Sequence, residues 1–393
     1  MKKLLCLSLC LFLMPAAGAL SEKKAELTVY FPNWNVYSDA LAEVKYLPWD
    51  DVDCINHAFW KIVPEDGGYA IVSTDPWADT DESNPASHFK QYAEYSSLHP
   101  DTKILLSIGG WTDSGYFSEM ALTGEGRASF IESCIRTMEK YPFLSGIDID
   151  WEYPGVARAG GEGDEGNPVL GDDKTNYTLL LKEMREAFDA RFGEGKKIIT
   201  VCAGASSGTL SRQDYAALWP YVDRINLMTY DLAGSWNSFT GHQSPLYGAA
   251  SADAAVEYLL SKGVPEGRIA IGSPFYSHAW QLYRPSANPV GAAAKPIWGG
   301  DTEWKELHKL EQLAVPDGEK GWHAVYDEKA CAAYLWNDDP DSESYLHFHT
   351  YDSEESVKAK IKYIKDRGLG GLIVWQIHGD SAVDGWPMIR GMK

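Results

Sequence analysis

Asp148, Asp150 and Glu152 stand at alternate positions in the segment LSGIDIDWEYP, residues 144–154. Side chains alternate along a strand, so the three carboxyl groups point to one side and Ile147 and Ile149 to the other. No basic residue interrupts the column. Like charges this close raise at least one pKa. A carboxyl that keeps its proton is what a general acid needs when the leaving group is an alkoxide. Acidic columns also hold divalent ions. The segment alone leaves that reading open, although no His or further acid follows at a matching spacing.

Such a column needs an element to hold it. The segment is one of eight short apolar runs, at 27–31, 53–59, 103–107, 144–150, 198–203, 224–229, 269–275 and 371–377. Continuous apolar runs are expected of parallel strands covered on both faces. Amphipathic stretches lie between them, among them 128–139, 177–192, 251–262 and 356–366. The last follows Asp352, with Glu355 three residues on, and stops at Gly368, which reads as a capping box and a glycine stop. Eight strand-then-helix units predict a (β/α)8 barrel, whose interior-facing acids would approach the C-terminal rim where active sites sit. An open doubly wound sheet is the alternative, but no GxGxxG follows an early strand.

About 95 residues separate Phe275 from Gly371, far more than one crossover helix uses. They predict a small α+β insertion, residues 281–350, between the seventh and eighth strands. It carries WGG at 298–300, Trp304, Trp322, YDEKACAAYLW at 326–336 and YLHFH at 345–349. A second long insertion, 155–173, follows the fourth strand directly.

The chain opens with Lys2 and Lys3, an apolar run, Pro15 and the small residues Ala17-Gly18-Ala19. That pattern reads as a signal peptide over 1–19, too short in its apolar part to span a bilayer, ahead of an exported barrel over 20–393. Cys54, Cys134, Cys202 and Cys331 lie beyond it with no CxxC, so zero or one disulfide is expected, with Cys54 and Cys202 as core thiols. The net charge of −21 repels nucleic acid and anionic membranes. The 15 Trp and 22 Tyr offer faces on which sugar rings stack.

The strand around Asp148 resembles the DxxDxDxE signature of glycoside hydrolase family 18, the chitinase family. SIGGW at 107–111, MTYDLAGSW at 228–236, SPFYSHAW at 273–280 and GLGGLIVWQIHGD at 368–380 resemble further motifs of the family, in the same order. The resemblance implies Glu152 as proton donor, Asp150 as the acid that orients the substrate's acetamido group, and Asp148 as its buried partner. It implies Tyr230 and Asp231 as hydrogen-bonding partners of that group and Trp375 as the aromatic floor at the cleavage point. Tyr30, Phe59 and Met228 would complete the lining of that pocket, Tyr276 would be a further substrate-binding residue, and Trp111 and Trp236 would be platforms on the leaving-group side. Two positions depart from the pattern. Ser145 stands where the signature has its first Asp, and His278 stands where the motif after the seventh strand usually has Arg.

No carboxylate nucleophile facing Glu152 is evident in the sequence. The resemblance implies that the substrate's own acetamido oxygen takes that place, with retention of configuration and no metal or organic cofactor. The implied partner is chitin or its oligomers, acted on by a monomer. An endo-β-N-acetylglucosaminidase would share the same machinery, and a carbohydrate-binding lectin is the third reading.

Overall fold

The computed structural model describes residues 25–37, 41–297, 299–314 and 319–392. The segment read as a signal peptide and Trp298 lie outside the described residues. In chain order the strands are β1 (Glu26–Pro32), β2 (Cys54–Glu65), β3 (Gly68–Ser73), β4 (Lys103–Gly109), β5 (Gly146–Asp150), β6 (Ile198–Gly204) and β7 (Arg224–Met228). They continue with β8 (Ile269–Pro274), β9 (His278–Leu282), β10 (Ala294–Pro296), β11 (Trp322–Asp327), β12 (Ala332–Asn337), β13 (His347–Tyr351) and β14 (Gly371–Trp375). The parallel neighbours run β1, β2, β4, β5, β6, β7, β8, β14, and β14 pairs with β1 again. The sheet is therefore a closed (β/α)8 barrel. Its eight members are the eight strands expected from the sequence.

Periodicity explains the closure. On β5, Ile147 and Ile149 are buried among the helix-facing core, while Asp148 and Asp150 point inward. The interior is unusually polar at its base. Arg224 on β7 donates to Glu26, to Thr28 Oγ1 at 2.7 Å and to Asn226 Oδ1 at 2.8 Å. Asn226 donates in turn to Asp148 Oδ1 at 3.2 Å. A hydrogen-bonded column of Glu26, Thr28, Arg224 and Asn226 thus rises from the floor of the barrel to the first acid.

Caps place the outer helices. Thr123 accepts from Gly126 N–H at 3.0 Å to start Gly124–Lys140, and Ser251 accepts from Ala254 N–H at 3.1 Å to start Ala252–Ser261. The last long helix, Glu354–Arg367, corrects an expectation. Its cap is Ser353, which accepts from Ser356 N–H at 3.3 Å, and not a box of Asp352 with Glu355. Asp352 is drawn inward instead, because the fully buried Lys360 needs a counter-charge. Asp352 also accepts from Ser273 Oγ at 2.7 Å. Gly368 ends the helix with φ 67°, the left-handed stop expected of it.

Two features lie outside the barrel. Strand β2 runs on past its parallel part and turns through Asp66 and Gly67 (φ 44° and 82°) into antiparallel β3. Strands β9–β13 form a separate antiparallel sheet in the order β10-β9-β13-β12-β11, with the helix Trp304–Ala314 packed against β11. This sheet touches the loop after β7, where Ala294 N–H of β10 donates to Ser238 O at 3.0 Å. All four cysteines among the described residues are free thiols, and Cys54 and Cys202 are buried in the barrel.

Candidate active site

Asp148 is wholly buried and collects donors from four other strands. Its Oδ2 accepts from Tyr30 O–H at 2.9 Å and Ser107 O–H at 2.8 Å, and its Oδ1 from Thr200 O–H and Asn226 N–H. The Cys202 thiol stands 3.7 Å from Oδ2. Ser145, the departure from the signature, lies just before β5, and none of these donors comes from it.

Asp150 follows one turn of the pleat later. Its Oδ1 is buried and has no hydrogen-bond partner in the protein. Burial, then the charges of Glu152 and Asp148, hold its carboxyl well above the usual carboxylate range. Gly109 on β4 makes room beside it. Its φ is 107°, and a Cβ there would lie 2.4 Å from Asp150 O.

Glu152 stands past the strand end, half-buried at the rim. Burial is the main cause that raises its pKa to about 7, helped by the charge of Asp231 and opposed by a hydrogen bond from Tyr153 and by Arg158. Its backbone is pinned from below, since Glu152 N–H donates to Ser114 Oγ at 3.0 Å and Ser114 donates to Gly110 O at 2.9 Å. The loop after β5 braces the same turn. Asn167 accepts from Trp151 Nε1 at 2.8 Å and donates to the carbonyls of Tyr153 and Val156, each at 2.7 Å.

The residues expected to line the pocket come together. Tyr30, Phe59, Met228 and Tyr230 form one buried cluster, with Tyr153, Tyr276 and Trp375 packed against it. Trp375 stacks on Phe59 with ring centroids 5.5 Å apart and planes at 16°. Tyr230 fits only because position 272 is Gly, where a Cβ would lie 2.6 Å from its ring. Asp231, the next residue, has φ 57° and accepts from Tyr276 O–H and from His278 Nε2, the latter at 2.8 Å. Trp111 and Trp236 are farther out, 51% and 61% exposed.

Sequence reasoning missed several neighbours. The Arg158 guanidinium lies 4.1 Å from the centroid of the Trp111 ring and donates to Trp111 O and to Asp164. Ser114, Asn167 and Asp301 were missed as well. Each meets its partner across a loop rather than at a periodic spacing, so no pattern in the chain marks it. Among the described residues, the group whose ligand atoms converge as a metal site requires is His57, Asp79 and His88. It lies on the helix-facing side of β2, away from the acid column. There Asp79 also accepts from Asn33, Trp60 and Ser73.

Comparison with known proteins shows which family the chain resembles. Chitinase A1 of Niallia circulans is 31% identical over 424 aligned positions, which take in 94% of this chain and 58% of that protein. The chain thus spans under two thirds of that relative's length. The structure of the Ostrinia furnacalis Group IV chitinase in complex with allosamidin superposes with a TM-score of 0.80 at 27% identity, covering 94% of this chain and 97% of the other. A family 18 N-acetylglucosaminidase from Paenibacillus barengoltzii superposes with a TM-score of 0.73 at 29% identity, covering 93% and 99%. The sequence model of the family described as Glycosyl hydrolases family 18 matches residues 26–380. With that match running from the first barrel strand to just beyond the last, the chain belongs to glycosyl hydrolase family 18.

Proposed function

We propose that the protein is a chitinase, hydrolysing β-1,4 bonds between N-acetylglucosamine units with retention at the anomeric carbon. The observation that carries this reading is the unpartnered Oδ1 of Asp150, buried beneath Glu152, whose pKa burial raises to about 7, and ringed by Tyr30, Phe59, Tyr230 and Trp375. A buried acceptor without a donor costs about 1–3 kcal/mol. The N–H of a 2-acetamido group is a donor of the right kind to relieve it.

The steps follow from these positions. Glu152 gives its proton to the glycosidic oxygen as the bond to the anomeric carbon breaks. The acetamido carbonyl oxygen attacks that carbon from the opposite face and forms a bicyclic oxazolinium ion. Asp150 accepts the amide N–H and offsets the positive charge that develops there. Tyr230 holds the carbonyl in line, which lowers the entropic cost of the attack. Glu152, now ionised, removes a proton from water, and the water oxygen bonds to the anomeric carbon as the ring opens. Two displacements give net retention. Trp111 and Trp236 supply stacking faces for the leaving-group sugars, and the antiparallel sheet β9–β13 forms a wall that deepens the cleft.

Export belongs to the same reading, on the pattern of Lys2, Lys3 and Ala17-Gly18-Ala19. No helix among the described residues is long and apolar enough to cross a membrane. A second reading has one specific support, the Paenibacillus relative reported as an N-acetylglucosaminidase.

The test uses chitooligosaccharides with one acetyl group removed. A bond with glucosamine on its non-reducing side lacks the internal nucleophile and should be spared, while other bonds in the same oligomer are cut. A thiazoline analogue of the bicyclic ion should inhibit. Efficient cleavage after glucosamine contradicts the mechanism. Release of single sugars only, from the chain end, favours the second reading.

A further inference from the structure

The ring of His278 lies between two carboxylates. Its Nε2 is 2.8 Å from Asp231 Oδ1, and its Nδ1 is 2.9 Å from Asp301 Oδ2. Neutral imidazole has one N–H, so it can donate to only one of them, whereas the imidazolium donates to both. The ring is buried while both acids are half-exposed. Burial works against the charged form, but the two carboxylates outweigh it and push the pKa up to about 9.

Each carboxylate leads somewhere. Asp231 follows Tyr230, takes the Tyr276 hydroxyl, and contributes to the raised pKa of Glu152. Asp301 accepts Ala279 N–H at 3.1 Å and precedes the helix Trp304–Ala314 of the insertion. Other groups also face the imidazole. The Trp236 ring stands edge-on at 5.0 Å and the Tyr276 ring at 5.4 Å. Strand β13 brings His349 alongside β9, but burial pushes that imidazole down to about 4, so it adds no charge at neutral pH.

We propose that His278 is a positioning residue, whose imidazolium form aims Asp231 at the reaction centre and ties that aim to the insertion through Asp301. Deprotonation leaves one proton for two acceptors and releases one side of the clamp. The proposal rests on the reading of Glu152 as the acid, and its consequence is a second ionisation in the alkaline limb of the reaction.

Two measurements test it. The first needs no turnover. Nitrogen NMR of the uniformly labelled protein, with the His278 signals identified by their loss in H278Q, should show both ring nitrogens protonated at neutral pH and titrating near 9. Titration near the ordinary value of about 6.5 overturns the proposal. The second is the pH profile of kcat/KM on chitotetraose. Wild type should lose activity in proportion to one proton above about pH 7 and to two above about pH 9. H278Q should lose roughly 10- to 100-fold, in kcat more than in KM. H278R keeps a cation and two donors at every pH used, so it should recover most of that loss and show only the first ionisation. An H278Q enzyme with wild-type kcat and an unchanged profile also overturns the proposal. Failure of the underlying reading looks different. An active E152Q enzyme would leave the NMR titration where it is.

Discussion

The place of Glu152 raises its pKa, and that has a measurable sign. Its pKa is raised to about 7, chiefly by burial. A general acid works only while protonated, so kcat/KM on chitooligosaccharides should be level below that pH and fall about tenfold per unit above it. A limb that turns down near the ordinary Glu value of about 4.3 would show that the cleft does not hold the proton. At this scale much of the site was legible. Alternation alone put Asp148 and Asp150 inside the barrel with Glu152 beyond them, and the motifs brought Tyr30, Phe59, Met228, Tyr230, Tyr276 and Trp375 into one cluster. Arg158 on Trp111, and Asp301 on His278, were not legible. They come from loops of irregular backbone, where neither period 2 nor period 3.6 constrains which way a side chain turns.

Elements hold the site through buried polar contacts as well as apolar packing. Lys360, on the helix Glu354–Arg367, donates to Asp352, to Ser244 Oγ at 2.6 Å and to Gly272 O at 3.0 Å. Gly272 is the residue that leaves room for Tyr230, so this ammonium group fastens the last long helix to the strand behind the pocket. Lys360→Met removes the cation and leaves Asp352 buried without a counter-charge. Urea unfolding should show a loss of about 3–5 kcal/mol. A loss under about 1 kcal/mol would mean that the pair is not coupled to folding. In the sequence a cap and a buried counter-ion share the same residue type, and only the fold reveals which way Asp352 faces. Strand β3 was overlooked for another reason. Asp66-Gly67, a strong two-residue hairpin signal, lies beyond the apolar run at 53–59, on an extension of that strand. The strands of the insertion are short and mixed in pattern. Their presence was legible as excess length, their order was not.

The whole molecule gathers its chemistry from distant parts of one chain. Tyr30, Asp148, Cys202 and Asn226 meet inside a barrel that closes by pairing β1 with β14, residues 26–29 with 371–374. A count of eight strand-then-helix units forecast that closure, because a barrel needs each strand to find two neighbours and leaves no edge. The net charge of −21 suits a neutral or cationic polymer and disfavours nucleic acid. On the proposed reading, the chemistry of the barrel comes down to one proton on Glu152. Glu152→Gln keeps the shape of the acid and cannot protonate the leaving oxygen. The most direct measurement is turnover of chitohexaose by E152Q, with binding of the same oligomer followed by calorimetry. The account predicts turnover reduced by ~10²–10⁴-fold with binding largely retained. Near wild-type turnover by a folded E152Q protein would contradict it.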